Sequence, residues 1–194
     1  MADYDETYIF SSLTTSTSDF TYLGPDFSGL QVKDTDGAWC WTDSGSVSTG
    51  TGPPSGIDCV YTETSSPVAV DDVFTMTLTN DINASSYGFF IDLDMYLYSQ
   101  TGGDVYFEAY NGSTWDIVGS FGYSISVSLV STTFDCSSYS NSDFKIRFRI
   151  VVGGTSYDND FAVKEIRIYG DAKEVSTREI NNIQSIQGIQ SITM

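Results

Sequence analysis

The chain has 194 residues, with 26 acidic and 8 basic side chains, a net charge of −18 and no histidine. So acidic a surface argues against binding to a phosphate backbone or to anionic lipid, both of which need clustered Lys and Arg, and the lack of histidine removes His-based triads, general bases and metal sites. Thirteen Tyr, 12 Phe and 3 Trp among many Ser, Thr and Gly suit strands and turns better than helices.

Met1 to Glu6 is acidic and lacks the basic and apolar regions of a secretion signal, so synthesis and initial residence in a cytoplasm are expected. An N-terminal lead, residues 1–19, carries the cluster Tyr8-Ile9-Phe10 and then a Ser/Thr run from Ser11 to Ser18 that reads as a linker or edge segment. A β domain is expected over residues 20–171. Within it, apolar and polar residues alternate through Phe74, Met76 and Leu78, and through Phe89, Ile91, Leu93, Met95 and Leu97. The pattern continues through Val105, Phe107 and Ala109, through Ile125, Val127 and Leu129, and through Phe144, Ile146, Phe148 and Ile150. Phe161, Val163, Ile166 and Ile168 close the series. Turn signals separate these runs, among them Asn111-Gly112 and Gly153-Gly154. One face in and one face out, repeated about ten times, predicts an all-β antiparallel sandwich. No apolar run reaches the roughly 18 residues of a membrane span.

The last segment, residues 172–194, reads as a C-terminal arm. Ile180, Ile183, Ile186, Ile189 and Ile192 recur every third residue among Asn, Gln, Ser and Gly. That period fits neither a helix nor a strand. It suits a segment wound around a three-fold axis or laid in a partner's groove, so the arm is expected to be an assembly element of a homo-oligomer, a trimer being one form.

Two stretches carry a resemblance. Thr49-Gly50-Thr51-Gly52-Pro53-Pro54-Ser55-Gly56-Ile57-Asp58-Cys59-Val60-Tyr61-Thr62-Glu63 and Tyr157-Asp158-Asn159-Asp160-Phe161-Ala162-Val163-Lys164-Glu165-Ile166-Arg167-Ile168 resemble segments of MAM domains. The resemblance implies a concanavalin A-like jelly roll used for adhesion rather than catalysis. The usual four cysteines of that family are not here. The arm resembles the C-terminal ends of tailed-bacteriophage virion proteins, which implies a structural protein on the outside of a virion, of the capsid-decoration or head-fibre type, bound to other capsid or tail proteins and released by lysis. The alternatives are a carbohydrate-binding adhesion module with a host glycan as partner, or a tail or baseplate component.

Candidate sites follow from residue chemistry. Asp92 and Asp94 share the polar side of one strand and could wall a sugar site or serve as a carboxylate pair, which a glycosidase would need; the plain alternative is a solvent face. Trp39, Trp41 and Trp115 could be sugar-stacking platforms or core rings. Lys145, Arg147 and Arg149 form a basic row at period two, either an electrostatic contact for an acidic neighbour or a set of cross-strand ion pairs. No catalytic residue and no cofactor is assigned. Calcium is conceivable in loops holding Asp34-Thr35-Asp36-Gly37, Asp71-Asp72 or Asp158-Asn159-Asp160, although turns favour Asp and Asn anyway. Cys40, Cys59 and Cys136 read as buried thiols in a reducing compartment; Cys40 and Cys59 could lie on neighbouring strands and pair after release to an oxidising medium.

Overall fold

A computed structural model describes residues 4–10, 19–24, 34–36, 39–42, 57–62, 69–99, 104–122, 129–153 and 159–172. The isoleucine row at 180, 183, 186, 189 and 192 lies outside the described residues. Twelve strands and no helix are found among those that are described: β1 (Tyr4–Ile9), β2 (Phe20–Leu23), β3 (Asp34–Asp36), β4 (Trp39–Thr42), β5 (Cys59–Thr62), β6 (Val73–Leu78), β7 (Tyr87–Ser99), β8 (Asp104–Tyr110), β9 (Trp115–Phe121), β10 (Leu129–Cys136), β11 (Ile146–Val151) and β12 (Asn159–Ala172). Accordingly, no helix of these residues is long and apolar enough to cross a membrane.

The strands form two antiparallel sheets packed face to face. The first has seven strands in the order β10-β7-β12-β5-β4-β3, with β1 on β12; the second has five, in the order β2-β6-β11-β8-β9. The alternating residues drive this arrangement. Phe74, Met76, Leu78, Phe89, Ile91, Leu93, Met95, Leu97, Val105, Phe107, Ala109, Ile146, Phe148 and Ile150 are all buried, while the residues between them lie on the outward pleat. Rings lock the layers: Phe148 of the second sheet lies 5.5 Å from Phe161 of the first, and 5.3 Å from Phe107 beside it.

Strand β12 explains the uneven spacing of its apolar residues. A bulge between Val163 and Glu165 inserts one residue, so the buried positions shift from Phe161 and Val163 to Ile166 and Ile168. At the same point β12 changes its second neighbour, from β5 over Phe161–Val163 to β1 over Glu165–Gly170. The Phe10 N–H donates to the Lys164 carbonyl at this junction, and Phe10 is buried in the core.

Residues 4–10 of the N-terminal lead are therefore part of the sandwich. Its first described residues are a strand of the larger sheet, and the boundary at residue 19 falls between two strands of one fold. Arg167 of β12 ties β1 down through two hydrogen bonds to Asp5, at 2.8 and 2.7 Å. This bond holds the Asp5 carboxyl below its ordinary value of 3.8. A carboxyl with a lowered folded pKa contributes stability above its unfolded value and loses it as pH falls through the folded one. Asp5→Asn is thus expected to lower the melting temperature at neutral pH, and the difference from the wild type should close as the pH is brought below about 3.8. A difference that persists unchanged at pH 2.5 would assign the effect to something other than this pair.

Candidate functional site

Two recesses matter, on opposite outer faces of the sandwich. The first lies on the smaller sheet, where Asp104, Tyr106, Glu108 and Tyr110 of β8 point outward because their neighbours Val105, Phe107 and Ala109 point in. The β8–β9 hairpin carries Trp115 opposite Tyr110. Asn111-Gly112 makes that turn: Gly112 has φ of 95°, a backbone region that glycine adopts at little cost. The Asn111 side chain accepts the N–H groups of Ser113 and Thr114 at 3.0 and 2.9 Å and donates to Asp116 at 3.0 Å. The Trp115 ring thus sits 5.3 Å from Tyr110, tilted by 52°.

Strand β11 supplies the cations. Arg147 lies opposite Glu108 and Arg149 opposite Tyr106. Glu108 is only 3% exposed and accepts from both arginines, Arg147 Nε on one oxygen and Arg149 Nε and Nη2 on the other, the latter at 2.9 and 2.8 Å. Each guanidinium also lies over a ring, Arg147 over Trp115 at 4.4 Å and Arg149 over Tyr106 at 4.2 Å. Lys145 pairs with Asp81 at 2.7 Å. Each residue of the basic row therefore has an acidic partner within the chain. Asp81, Tyr110, Trp115, Asp143 and Lys145 enclose an open cleft of about 390 Å³. Asn141 fixes one side of it, donating to the Tyr110 carbonyl at 3.2 Å and accepting the Asp143 N–H at 2.9 Å.

The second recess is on the larger sheet, a groove of about 610 Å³ bounded by Asp92, Asp94, Ser131, Thr133, Glu165 and Arg167. Here Asp92 and Asp94 are acceptors in a cross-strand network. Thr133 and Ser131 donate to them at 2.6 Å each, Lys164 reaches Asp94 at 3.2 Å and Tyr169 reaches Asp92 at 3.4 Å. The Tyr169 ring is stacked on Phe90 with centroids 5.8 Å apart and lies 4.6 Å below the Arg167 guanidinium. Asp92 and Asp94 belong to the larger sheet's outer face and Trp115 to the smaller sheet's, so these residues cannot share one ligand.

Trp39 requires a correction. It is fully buried, packed against Tyr22 and Phe161 at 5.5 and 6.4 Å, with Nε1 donating to the Leu23 carbonyl at 3.3 Å. A ring sealed between the sheets is a core residue and offers no face to a sugar. Trp41 pairs in register with Asp34 and Val60; its side chain lies outside the description. Asp71 and Asp72 also serve the backbone: the Asp71 N–H bonds Val152, and the Asp72 carboxylate accepts the Ala69 N–H at 2.7 Å. Among the described residues no group of three or more His, Cys, Asp or Glu could hold a metal. The side chains of Asp34, Asp36, Asp158 and Asp160 lie outside them. Cys59 and Cys136 are buried, and burial pushes each thiol up to about 12; the Cys40 side chain lies outside the described residues.

No family model matches the chain, and no curated protein matches it. Solved structures do. The K2 cleaved adhesin domain of Lys-gingipain is similar with a TM-score of 0.56 at 12% identity, covering 85% of this chain and 99% of that one. The K1 cleaved adhesin domain of Lys-gingipain from Porphyromonas gingivalis W83 reaches 0.54 at 11% identity, covering 88% and 99%. The carbohydrate-binding module TmCBM61, solved with β-1,4-galactotriose, reaches 0.52 at 10% identity, covering 84% and 99%. These likenesses establish the fold as a jelly-roll β-sandwich.

Proposed function

We propose that this chain is a non-catalytic carbohydrate-binding adhesion module, and that its glycan site is the cleft on the outer face of the smaller sheet. The observation that carries this reading is the cleft itself: the Tyr110 and Trp115 rings stand beside Asp81, Asp143 and Lys145. A sugar ring has apolar C–H faces and a polar rim. Aromatic rings take the first, and carboxylate acceptors and an ammonium donor take the second. The groove on the larger sheet is the weaker candidate, because no aromatic ring is among the described residues that line it.

The test is retardation of the full chain in gels containing neutral galactan, mannan, xylan or glucan. Saturable binding to at least one supports the reading; no binding to any of them overturns it. Anchoring such a module on a virion surface through the isoleucine arm belongs to the same proposal. Light scattering of the same preparation against a chain ending at Lys173 examines that part: a fall in oligomer size on truncation supports it, and the same oligomer from both chains removes it.

A further inference from the structure

Two arginines two residues apart on a strand, beside half-buried rings, are what a carboxylate-bearing ligand would be expected to find, because the guanidinium fork matches a carboxylate in both geometry and charge. In this chain that position is already filled. We infer that Glu108 is a built-in carboxylate that occupies the arginine pair and makes this face select neutral glycans over uronate-bearing ones. The inference rests on the glycan-binding reading of the cleft and names the class of sugar it takes.

The geometry supports this in three ways. Glu108 lies opposite Arg147 in the β8–β11 register, two positions along β8 from Tyr106, the partner of Arg149, so the four side chains share one outer face, and its two oxygens are divided between the two guanidiniums. The rings beneath Arg147 and Arg149, at 4.4 and 4.2 Å, hold both guanidiniums in place, so they cannot swing toward an incoming anion without giving up both contacts. The local charge is also unfavourable to an anion. Lys145, Arg147 and Arg149 stand among Glu108, Asp81, Asp104, Asp116 and Asp143, on a chain whose net charge is −18. These five carboxylates outnumber the three cations, so a uronate approaching this face meets net negative charge, least screened at low salt. A neutral sugar meets no such barrier and finds the same rings and hydrogen-bonding groups.

The experiment uses two probes that differ at C6 alone, a hydroxymethyl in one and a carboxylate in the other: β-1,4-linked mannose oligomers and β-1,4-linked mannuronate oligomers, with the methyl esters of homogalacturonan oligomers and their free acids as a second pair. Wild type is expected to bind the neutral member of a pair at least about tenfold tighter than its acid. In Glu108→Gln the ratio should narrow about tenfold or reverse, and the gained acid binding should weaken as salt is raised. A purely structural role for Glu108 would lower both affinities together and leave the ratio and its salt dependence unmoved. If Glu108→Gln does not fold, the double variant Glu108→Gln/Arg149→Gln removes one charge of each sign, leaves Arg147 free, and carries the same expectation. Wild type binding acid as well as neutral probe, or a variant with an unchanged ratio, overturns the inference while the glycan reading stands. Wild type binding neither member of either pair, nor any polysaccharide of the gel panel, overturns both.

Discussion

Replacing Trp115 by Ala is expected to weaken glycan binding about tenfold to a hundredfold, roughly 1.4 to 2.8 kcal/mol, while leaving the sandwich folded. Trp115 sits on β9, at the edge of the smaller sheet, with its ring half-buried and bordering the cleft. Its loss removes the largest apolar surface available to a sugar face. The fold loses less. The contact with Arg147 contributes about 0.5–1 kcal/mol at a partly exposed site, and the tilted pairing with Tyr110 contributes a similar amount. Titration calorimetry with whichever neutral oligosaccharide binds gives the affinity, and a thermal melt gives the stability. Asp94→Asn serves as the comparison, since Asp94 lies on the other sheet; its affinity should stay within about twofold of wild type. If Asp94→Asn removes binding and Trp115→Ala does not, the site is the groove of the larger sheet.

The largest effect on stability is expected at Gly170, where Ala should cost about 3 kcal/mol and lower the melting temperature by about 6–12 °C. Gly170 lies in β12 between Tyr4 of β1 and Phe89 of β7. A Cβ there would run into the Gly88 carbonyl oxygen, and would stand 2.8 Å from the Phe89 ring and 3.0 Å from the Gly88 carbonyl carbon. Two of these atoms are backbone of the paired strand, so relief requires β7 and β12 to separate. Gly122→Ala is the matched control. A Cβ at that position meets only an Asp104 carboxylate oxygen at 3.8 Å, and the change should stay within about 0.5 kcal/mol. Equal melting temperatures for the two variants would show that β7 and β12 do not approach as closely as described.

The inward-facing residues of β6, β7, β8 and β11 were legible in the sequence because alternation is a local property: each strand carries its own record of which side is buried. The three-residue step from Val163 to Ile166 even recorded the bulge in β12. What was not legible depended on partners far along the chain. Strand β1 reads as a polar lead, since Asp5, Glu6 and Thr7 give it little apolar periodicity, and it becomes a strand only by pairing with residues about 160 positions away. Glu108 was missed for the same reason. Its outward parity on β8 was available, but its arginines lie 39 and 41 residues on, and only the β8–β11 register brings them together. Trp39 and Trp115 show a further limit. Both are tryptophans on short strands, yet one is sealed between the sheets and the other lies on an edge strand's outer face, a difference set by strand order rather than by local sequence.

The most direct measurement is a nuclear magnetic resonance titration of the isotope-labelled full chain with a neutral oligosaccharide that binds it, following backbone amides and the tryptophan indoles. Shifts concentrated at Tyr110, Trp115, Asp143 and Lys145, with Asp92, Asp94 and Arg167 unmoved, are the predicted result. Shifts concentrated at Asp92, Asp94 and Arg167 instead would contradict the account, because the ligand would then occupy the opposite face of the sandwich.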